Sequence, residues 1–178
     1  MAAMVVFANV MFQVFGDAMD QWQLIIAIIA GLSMLIGAFG GLTQTNIKRL
    51  LAYSSVSHVG YILIAVIAKN SIGSSSLLFY MLAYAFMIFG AFGIVILMGR
   101  EGEENLEIEN YSGLAFKHPM IALSMTIFML SLGGMPPLAG FVAKFYIFSA
   151  AIQEGYVTLV IIAVLNSVIS FYYYLRVI

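Results

Sequence analysis

The chain has 178 residues, of which 63% are hydrophobic and 8% are charged. A soluble domain has about 45–50% apolar and about 25% charged residues, so this chain has too few charges to solvate a globular surface. The composition excludes a soluble enzyme, a disordered chain and a nucleic-acid-binding protein. The sequence contains no cysteine, which excludes disulfides, iron–sulfur ligands and thiolate metal sites. It indicates an integral membrane protein of several spans.

The apolar residues fall into six blocks along the chain. They cover Met1–Phe15, Trp22–Leu42, Leu50–Ala68, Leu77–Met98, Pro119–Ile152 and Tyr156–Ile178. Blocks this long predict helices, because hydrocarbon leaves the backbone of an open strand without partners and the alternation of a barrel strand is missing. Between the third and fourth blocks, Asn70–Ser76 is predicted as a Gly/Ser turn. We therefore expect one all-α transmembrane domain over residues 1–178, a bundle of about six helices.

The first block begins at full hydrophobicity and is short. As a helix, Met1–Phe15 would reach about 22 Å, less than the hydrocarbon core of about 30 Å. It also lacks a basic leader and a small-residue cleavage site, which disfavours a signal peptide. We expect the chain to be the C-terminal portion of a longer protein.

Basic residues predict the orientation of the helices. If the first block is the first span, five basic residues fall on one side of the membrane and Lys69 falls on the other. The five are Lys48, Arg49, Arg100, Lys117 and Arg176. The positive-inside rule places their side in the cytoplasm or matrix.

The fifth block is much longer than one span. Pro119–Gln153 has 35 residues, whereas about 20 cross a bilayer. It contains two adjacent prolines, which remove two backbone donors and disfavour helix in the residue before them. The pattern predicts a helix broken in mid-membrane between Leu132 and Leu138, where freed backbone groups line a cavity or water path. The predicted break residues are Gly133, Gly134, Pro136 and Pro137. A simple proline kink and a hairpin of two half-spans are the alternatives.

Lys144 follows this break. It lies seven residues after Pro137 and nine before Gln153, about 13 Å of helix from the polar end and so near the middle of the bilayer. A charged lysine there costs at least ~2.5–3.5 kcal/mol on insertion scales. That cost indicates a functional residue, and a buried lysine that gains and loses a proton suits a proton relay. Snorkelling is the alternative, but a lysine side chain reaches only ~6 Å.

The third block carries a polar stripe. At ~100° per residue, Ser54, Ser55, His58 and Tyr61 fall within one arc of about 120°. His58 lies about 15 Å along the helix from Lys48, again near mid-membrane. Imidazole both donates and accepts, which suits a relay between lysines. An equally good interpretation is a neutral histidine bonded to a neighbouring helix. Lys48 belongs either to the same path or to an ordinary cytoplasmic anchor at the end of its block.

The last block contains weaker signals. Asn166, Ser170 and Tyr173 recur at helical spacing, which favours polar contacts between helices over a water path. Tyr172–Tyr174 beside Arg176 are typical of an interfacial aromatic belt. No phosphate loop, nucleotide fingerprint, metal cluster or catalytic triad occurs in the sequence.

Three segments resemble one known family. They are Gln44–Tyr61 (QTNIKRLLAYSSVSHVGY), Ser131–Tyr146 (SLGGMPPLAGFVAKFY) and Asn166–Arg176 (NSVISFYYYLR). Together they resemble the antiporter-like membrane subunits of respiratory complex I and the related cation/proton antiporters, and among these the subunit N family of NADH:quinone oxidoreductase. The resemblance covers nearly the whole chain. Lysine at 144 argues against the M family, which has glutamate there. His58 and the Phe-Tyr after Lys144 favour N over L.

The resemblance implies a fold and a set of roles. Such subunits have fourteen helices with two inverted five-helix repeats, each containing a broken helix, and this chain corresponds to roughly one repeat. By motif, Lys144 matches the lysine of the second broken helix, on the exit route of the proton. Lys48 and His58 match polar residues of the adjoining helix on the central hydrophilic axis. The first repeat has no counterpart in this sequence, and Met1 falls at or near the position of a further lysine of the family.

The resulting hypothesis is a proton-translocating membrane-arm subunit of NADH:quinone oxidoreductase. The proposed proton path runs through Lys144, His58 and Lys48, with Ser54, Ser55 and Tyr61 as supporting polar groups. The resemblance implies that this chain binds no cofactor, and that NADH, FMN, iron–sulfur clusters and quinone belong to partner subunits. Its expected partners are the other membrane-arm subunits of complex I, the lipid bilayer and protons, without nucleic acid. A bacterial inner membrane is expected, with an organellar inner membrane as the alternative.

Two other functions fit the same features. One is a subunit of a multi-subunit sodium/proton antiporter, which has no quinone partner. The other is a truncated structural module that packs in the membrane without transport activity, which the missing first repeat favours.

Overall fold

The computed structural model describes residues 2–68, 70–99 and 106–178. Lys69 and Arg100, which contribute to the predicted orientation, lie outside the described residues. The helices are α1 (Ala2–Gln13), α2 (Met19–Leu42), α3 (Ile47–Ile67), α4 (Ser71–Met98), α5 (Leu114–Lys117), α6 (Pro119–Gly133), α7 (Ala139–Gln153) and α8 (Val157–Val177). With α6 and α7 counted as one broken helix and the four-residue α5 left out, these make six. The predicted all-α bundle is confirmed.

The start of α4 differs from the prediction. The Asn70 side chain accepts a hydrogen bond from the Gly73 backbone N–H at 2.6 Å, which caps the helix. The helix therefore begins at Ser71, and the predicted Gly/Ser turn over Asn70–Ser76 is wrong. Ser76, in the second turn, is tolerated in the helix because its hydroxyl bonds locally, to the Gly73 carbonyl at 2.9 Å.

Within the described ranges, four helices are long and apolar enough to cross a membrane. These spans are Gln21–Leu42, Ile47–Ile67, Ile72–Met98 and Val157–Val177. The helices α1, α6 and α7 are shorter, with 12, 15 and 15 residues. At 1.5 Å per residue each of them is about 18–22 Å long, less than the ~30 Å of a hydrocarbon core.

Small residues bring α2 and α3 into close contact. A Cβ atom added to Gly60 of α3 would lie 2.8 Å from the Ala30 carbonyl oxygen and 2.5 Å from Met34 Cγ of α2. A Cβ added to Gly37 of α2 would collide with Ser57 of α3. Membrane helices associate through such small-residue surfaces, because lipid gives no hydrophobic driving force between them.

Helix α3 occupies the centre of the bundle. Every residue from Gly60 to Ala68 is buried, whichever way its side chain points. By contrast, α2 and α4 each have an outward apolar face, represented by Leu32 with 53% of its surface exposed and Phe89 with 72%. Ser54, Ser57, His58 and Tyr61 of α3 are buried as well, so these polar side chains meet other helices and not the surroundings of the bundle.

The short helices α6 and α7 lie end to end along α4. Asn70, just before α4, donates to the Ala150 carbonyl near the end of α7. Met87, midway along α4, lies against Gly140 at the start of α7, and Gly90 lies against Phe128 of α6. As the residue numbers rise along α4 they fall along α7 and then α6, so the pair runs antiparallel to α4 as one interrupted helix.

Candidate functional site

The interruption between α6 and α7 is a regular helix end followed by a new start. Gly134 adopts a φ of +90°, a left-handed conformation that glycine adopts without strain. Its N–H bonds to the Leu130 and Ser131 carbonyls, and the Met135 N–H also bonds to Leu130 at 3.0 Å. This is the hydrogen-bond pattern of a helix C-terminus that ends at a left-handed glycine. The next helical residue is Ala139, so the chain is broken within the predicted interval of residues 132–138, and neither a simple kink nor a side-by-side hairpin describes it.

A residue of α6 caps α7 across the break. The Gly140 backbone N–H donates to Ser131 Oγ at 3.2 Å, and Ser131 is buried. The residue before α7 is Leu138, whose side chain cannot accept a hydrogen bond. A Cβ atom on Gly140 would collide with the Ser131 carbonyl, so the close approach of the two half-helices requires glycine there.

Lys144 of α7 reaches back to the open end of α6. Its Nζ donates to the Leu132 and Gly133 carbonyls at 3.2 and 3.1 Å and to Ser167 Oγ of α8 at 3.1 Å. The side chain is 4% exposed, which excludes snorkelling to the membrane surface. The last carbonyls of a helix carry the negative end of its dipole, so the broken helix itself supplies a binding site for an ammonium group.

An aromatic ring covers the same ammonium group. Lys144 Nζ lies 4.9 Å from the ring centroid of Tyr61, within the range of a cation–π interaction. The Tyr61 hydroxyl accepts a hydrogen bond from Asn166 Nδ2 of α8 at 3.0 Å. Tyr61 therefore joins the polar stripe of α3 to the lysine of the broken helix.

His58 is enclosed by tyrosines of two other helices. Its Nδ1 bonds to the Tyr80 hydroxyl of α4 at 2.6 Å, and its Nε2 bonds to the Tyr174 hydroxyl of α8 at 3.3 Å. Its ring stacks on Tyr84 with 4.5 Å between centroids. A neutral histidine that only holds neighbouring helices together would make bonds of this kind. They are also the donors and acceptors that a relay needs.

The two serines of the stripe have different partners. Ser54 is fully buried and bonds to the Tyr174 hydroxyl at 2.5 Å, so it continues the chain of contacts from His58. Ser55 donates to the Leu51 carbonyl and accepts from Tyr84. The buried polar groups around His58 and Lys144 form the polar axis of the bundle. Ser54 belongs to this axis, whereas Ser55 holds Tyr84, which stacks on the His58 ring.

Lys48 lies apart from these groups. It is in the first turn of α3, partly buried, and ten residues before His58. Ten residues of helix correspond to about 15 Å. The structure thus brings together Lys144, His58, Ser54 and Tyr61, and leaves Lys48 at the end of the bundle.

The sequence did not identify the tyrosines that complete the site. Tyr80 and Tyr84 occur four residues apart on an otherwise apolar helix, a spacing that could have marked a polar face. The predicted aromatic belt is wrong for two of its three members. Tyr173 and Tyr174 are each 1% exposed, because they face α3, whereas Tyr172 is 64% exposed.

A separate cavity of about 600 Å³ opens at the end of the bundle that holds Arg176. Glu107, Glu109 and Tyr111 of the connecting loop also line it, but the predicted site residues do not. Burial raises the pKa of the Tyr111 phenol, so this group stays neutral at physiological pH. The cavity is thus distinct from the polar axis.

Comparison with known proteins decides the family. Residues 1–170 match the family described as NADH:quinone oxidoreductase/Mrp antiporter, TM. The chain belongs to this family. It is therefore an integral membrane protein, as its four long apolar helices indicate.

Individual members of the family are similar over most of this chain. NADH-quinone oxidoreductase subunit N of Trichlorobacter lovleyi is 52% identical over 92% of this chain and 34% of its own length. The subunit N of Rhodospirillum rubrum is 47% identical over 99% of this chain and 36% of its own length. The chain thus spans about a third of the length of the relatives it matches.

Two solved structures contain the same fold. A chain of respiratory complex I from Thermus thermophilus is 36% identical, with a TM-score of 0.77 over 86% of this chain and 34% of that one. A chain of the Mrp complex from Dietzia sp. is 28% identical, with a TM-score of 0.88 over 98% of this chain and 32% of that one. The broken-helix bundle is therefore shared by both branches of the family.

Proposed function

We propose that this chain is part of a subunit N of NADH:quinone oxidoreductase and carries protons across the membrane while quinone is reduced elsewhere in the complex. The observation that carries the proposal is Lys144, a buried lysine held at the end of a broken helix inside the bundle. The identity of about one half to relatives named subunit N supports the choice of complex.

Lys144 can exchange a proton without leaving its place. As an ammonium it donates to two carbonyls and to Ser167 Oγ. After losing one proton, the amine keeps two N–H donors for the carbonyls and gains a lone pair that accepts from the Ser167 hydroxyl. Both forms are thus fully hydrogen-bonded, and the released proton leaves through the polar groups of α8.

His58 can pass a proton between its two ring nitrogens. A proton that arrives at Nδ1 from the Tyr80 side converts the ring to imidazolium, and the proton on Nε2 can then leave toward Tyr174. Each tyrosine hydroxyl is both donor and acceptor, so neither direction of transfer is blocked by a fixed donor. Ser54 extends this path by one further hydroxyl.

The remaining predicted residues have supporting roles in this proposal. Gly133, Gly134, Pro136 and Pro137 create the helix end that receives Lys144. Tyr61 covers the ammonium group of Lys144. Ser55 holds Tyr84 against the ring of His58. Lys48, at the basic end of α3, passes protons between the axis and that membrane surface. We assign no cofactor to this chain, and place NADH, FMN, iron–sulfur clusters and quinone in partner subunits.

The partners follow from the same proposal. They are the other membrane-arm subunits of complex I, in a bacterial inner membrane, and residues 1–178 form a single transmembrane domain within a longer subunit. The outward apolar faces of α2 and α4 provide surface for such subunits or for lipid.

The antiporter branch is the second candidate. Its basis is the likeness to a chain of the Mrp complex, with a TM-score of 0.88 over 98% of this chain. A complex I chain has the same fold, so the fold alone does not separate the two functions. The higher sequence identity to subunit N relatives favours the first proposal. Proton uptake driven by a sodium gradient, measured without quinone, would support the antiporter function instead.

The test uses the complete complex that contains the full-length subunit. Lys144→Ala should lower NADH-driven proton pumping and coupled quinone reduction by about tenfold or more, since general acid–base groups contribute about 10²–10⁴-fold. NADH oxidation by an artificial acceptor should stay near that of the parent. Lys117→Ala, which removes an exposed lysine, is the matched control. Normal pumping by an assembled Lys144→Ala complex would refute the proposal.

A further inference from the structure

The polar axis consists of two hydrogen-bonded groups. The histidine group contains His58, Tyr80, Tyr174 and Ser54. The lysine group contains Lys144, Ser167, Tyr61 and Asn166. Within the part of the chain that the structure describes, no hydrogen bond joins a side chain of one group to a side chain of the other. A proton that crosses the axis therefore needs further groups between them.

Two hydroxyls of α8 lie in this interval. Ser170 lies next to Tyr61 of the lysine group. On its other side, Ser170 lies next to Tyr173. Tyr173 is also next to Tyr174 and Ser54 of the histidine group. Asn166, Ser170 and Tyr173 follow one another along α8 in steps of three or four residues. They therefore share one face of the helix, the face that α8 turns toward α3.

These two hydroxyls are also buried without hydrogen-bond partners. Ser170 Oγ and Tyr173 OH have none among the described residues, although the side chains are only 2% and 1% exposed. Leaving a buried polar group unpaired costs about 1–3 kcal/mol, and native structures contain few such groups. Asn166 Oδ1, one turn earlier on the same face, is a third. Unpaired polar atoms are thus concentrated where the two groups fail to meet.

We propose that the Ser170 and Tyr173 hydroxyls are the connection through which protons pass between the histidine group and the lysine group. This proposal rests on the proposed function and adds the route. Each hydroxyl oxygen receives a proton from one neighbour and gives its own proton to the next, so the hydroxyls are unchanged after each transfer. Because neither hydroxyl has a hydrogen-bond partner among the described residues, the Ser170 O–H can turn toward Tyr61 or Tyr173, and the Tyr173 O–H toward Ser170 or the histidine group. The connection opens or closes with these orientations.

The chain supplies matched controls for both residues. Tyr172 adjoins Tyr173 but points away from α3 and is 64% exposed, so Tyr172→Phe removes a phenol hydroxyl outside the axis. Ser124 of α6 is partly exposed and its hydroxyl donates to the Met120 carbonyl of the preceding turn, so Ser124→Ala removes a serine hydroxyl away from the axis. Tyr173→Phe keeps the ring that packs against Gly41, and Ser170→Ala keeps the helix.

The experiment measures protons pumped per NADH oxidised in membrane vesicles that contain the full complex, after assembly of each variant has been checked. Ser170→Ala and Tyr173→Phe should each lower this ratio about tenfold. The two controls should match the parent. Ser170→Thr, which restores a hydroxyl, should recover most of the pumping that Ser170→Ala loses.

Three results would overturn the proposal. One is normal pumping by Ser170→Ala and Tyr173→Phe while Lys144→Ala is inactive, which would reject the route and leave the proposed function standing. Another is an equal loss in Ser170→Thr and Ser170→Ala, which would indicate packing and not proton transfer. The third is normal pumping by Lys144→Ala itself, which would reject the proposed function together with the route.

Discussion

His58 and Lys144 are both buried near the middle of the same bundle, but their surroundings differ in kind. His58 is held by tyrosine hydroxyls, each of which can donate or accept. Lys144 is held by two backbone carbonyls, which can only accept, and by one hydroxyl. Under the proposed function, the surroundings of His58 suit passage of a proton in either direction, whereas those of Lys144 suit a place where positive charge rests.

The two environments also have different structural origins. The carbonyls around Lys144 are available because α6 ends inside the bundle, so that site depends on backbone conformation at Gly134. The hydroxyls around His58 come from the side chains of α4 and α8 and need no irregular backbone. Substitutions can therefore disturb one environment while leaving the other in place.

Apart from substitutions of Lys144 itself, the largest effect is expected from Gly134→Ala. Its φ of +90° strains any residue with a Cβ, and that Cβ would lie 3.2 Å from Lys144 Cδ and 3.3 Å from Nζ. Strain of roughly 1–2 kcal/mol together with displacement of the lysine should lower pumping more than tenfold. Gly93→Ala, a glycine of α4 with open space around it, should pump normally. Normal pumping by Gly134→Ala would mean that the helix end does not position the lysine.

A smaller effect is expected from His58→Gln. Glutamine can keep hydrogen bonds to tyrosines, but it cannot take up and release a proton as imidazole does. Pumping should fall about tenfold, while assembly and artificial-acceptor NADH oxidation stay near the parent values. His118→Gln, at the exposed end of α5, is the control. If His58→Gln pumped as well as His118→Gln, His58 would have a structural role only. It would then be the neutral histidine bonded to a neighbouring helix that the sequence equally allows.

The smallest of these effects is expected from Tyr80→Phe. It removes the hydroxyl at 2.6 Å from His58 Nδ1 but keeps the ring, and one hydrogen bond is worth about 0.5–1.5 kcal/mol. We expect a twofold to tenfold loss of pumping, because Tyr174 still holds the other nitrogen. Tyr146→Phe, with the ring 47% exposed, serves as the control. A larger loss than in His58→Gln would contradict this order of effects, because the Tyr80 hydroxyl would then matter more than the imidazole that it contacts.

Sequence reasoning predicted the backbone features of the lysine group well. Paired prolines and glycines determine the break locally, and the cost of a charge in hydrocarbon marks Lys144 without knowledge of its neighbours. The prediction could not name the Leu132 and Gly133 carbonyls, because every residue has a carbonyl and only the fold shows which ones are left open.

The histidine group was predicted only in part. His58 and Ser54 follow from periodicity along one helix, but Tyr80 and Tyr174 come from helices whose rotation about α3 the sequence does not determine. Helix α4 shows almost uniform hydrophobicity, so its buried face cannot be identified from pattern alone. The same limitation produced the wrong assignment of Tyr173 and Tyr174 to an interfacial belt.

The most direct test of the central claim is the pumping of Lys144→Arg in vesicles with a pH-sensitive dye, in the fully assembled complex. Arginine keeps a positive charge and donors for the two carbonyls, but guanidinium does not release its proton at accessible pH. If Lys144 exchanges a proton during turnover, the arginine variant should lose pumping about as completely as Lys144→Ala. If the arginine variant pumps as well as the parent, a fixed charge is sufficient and proton exchange at Lys144 is excluded.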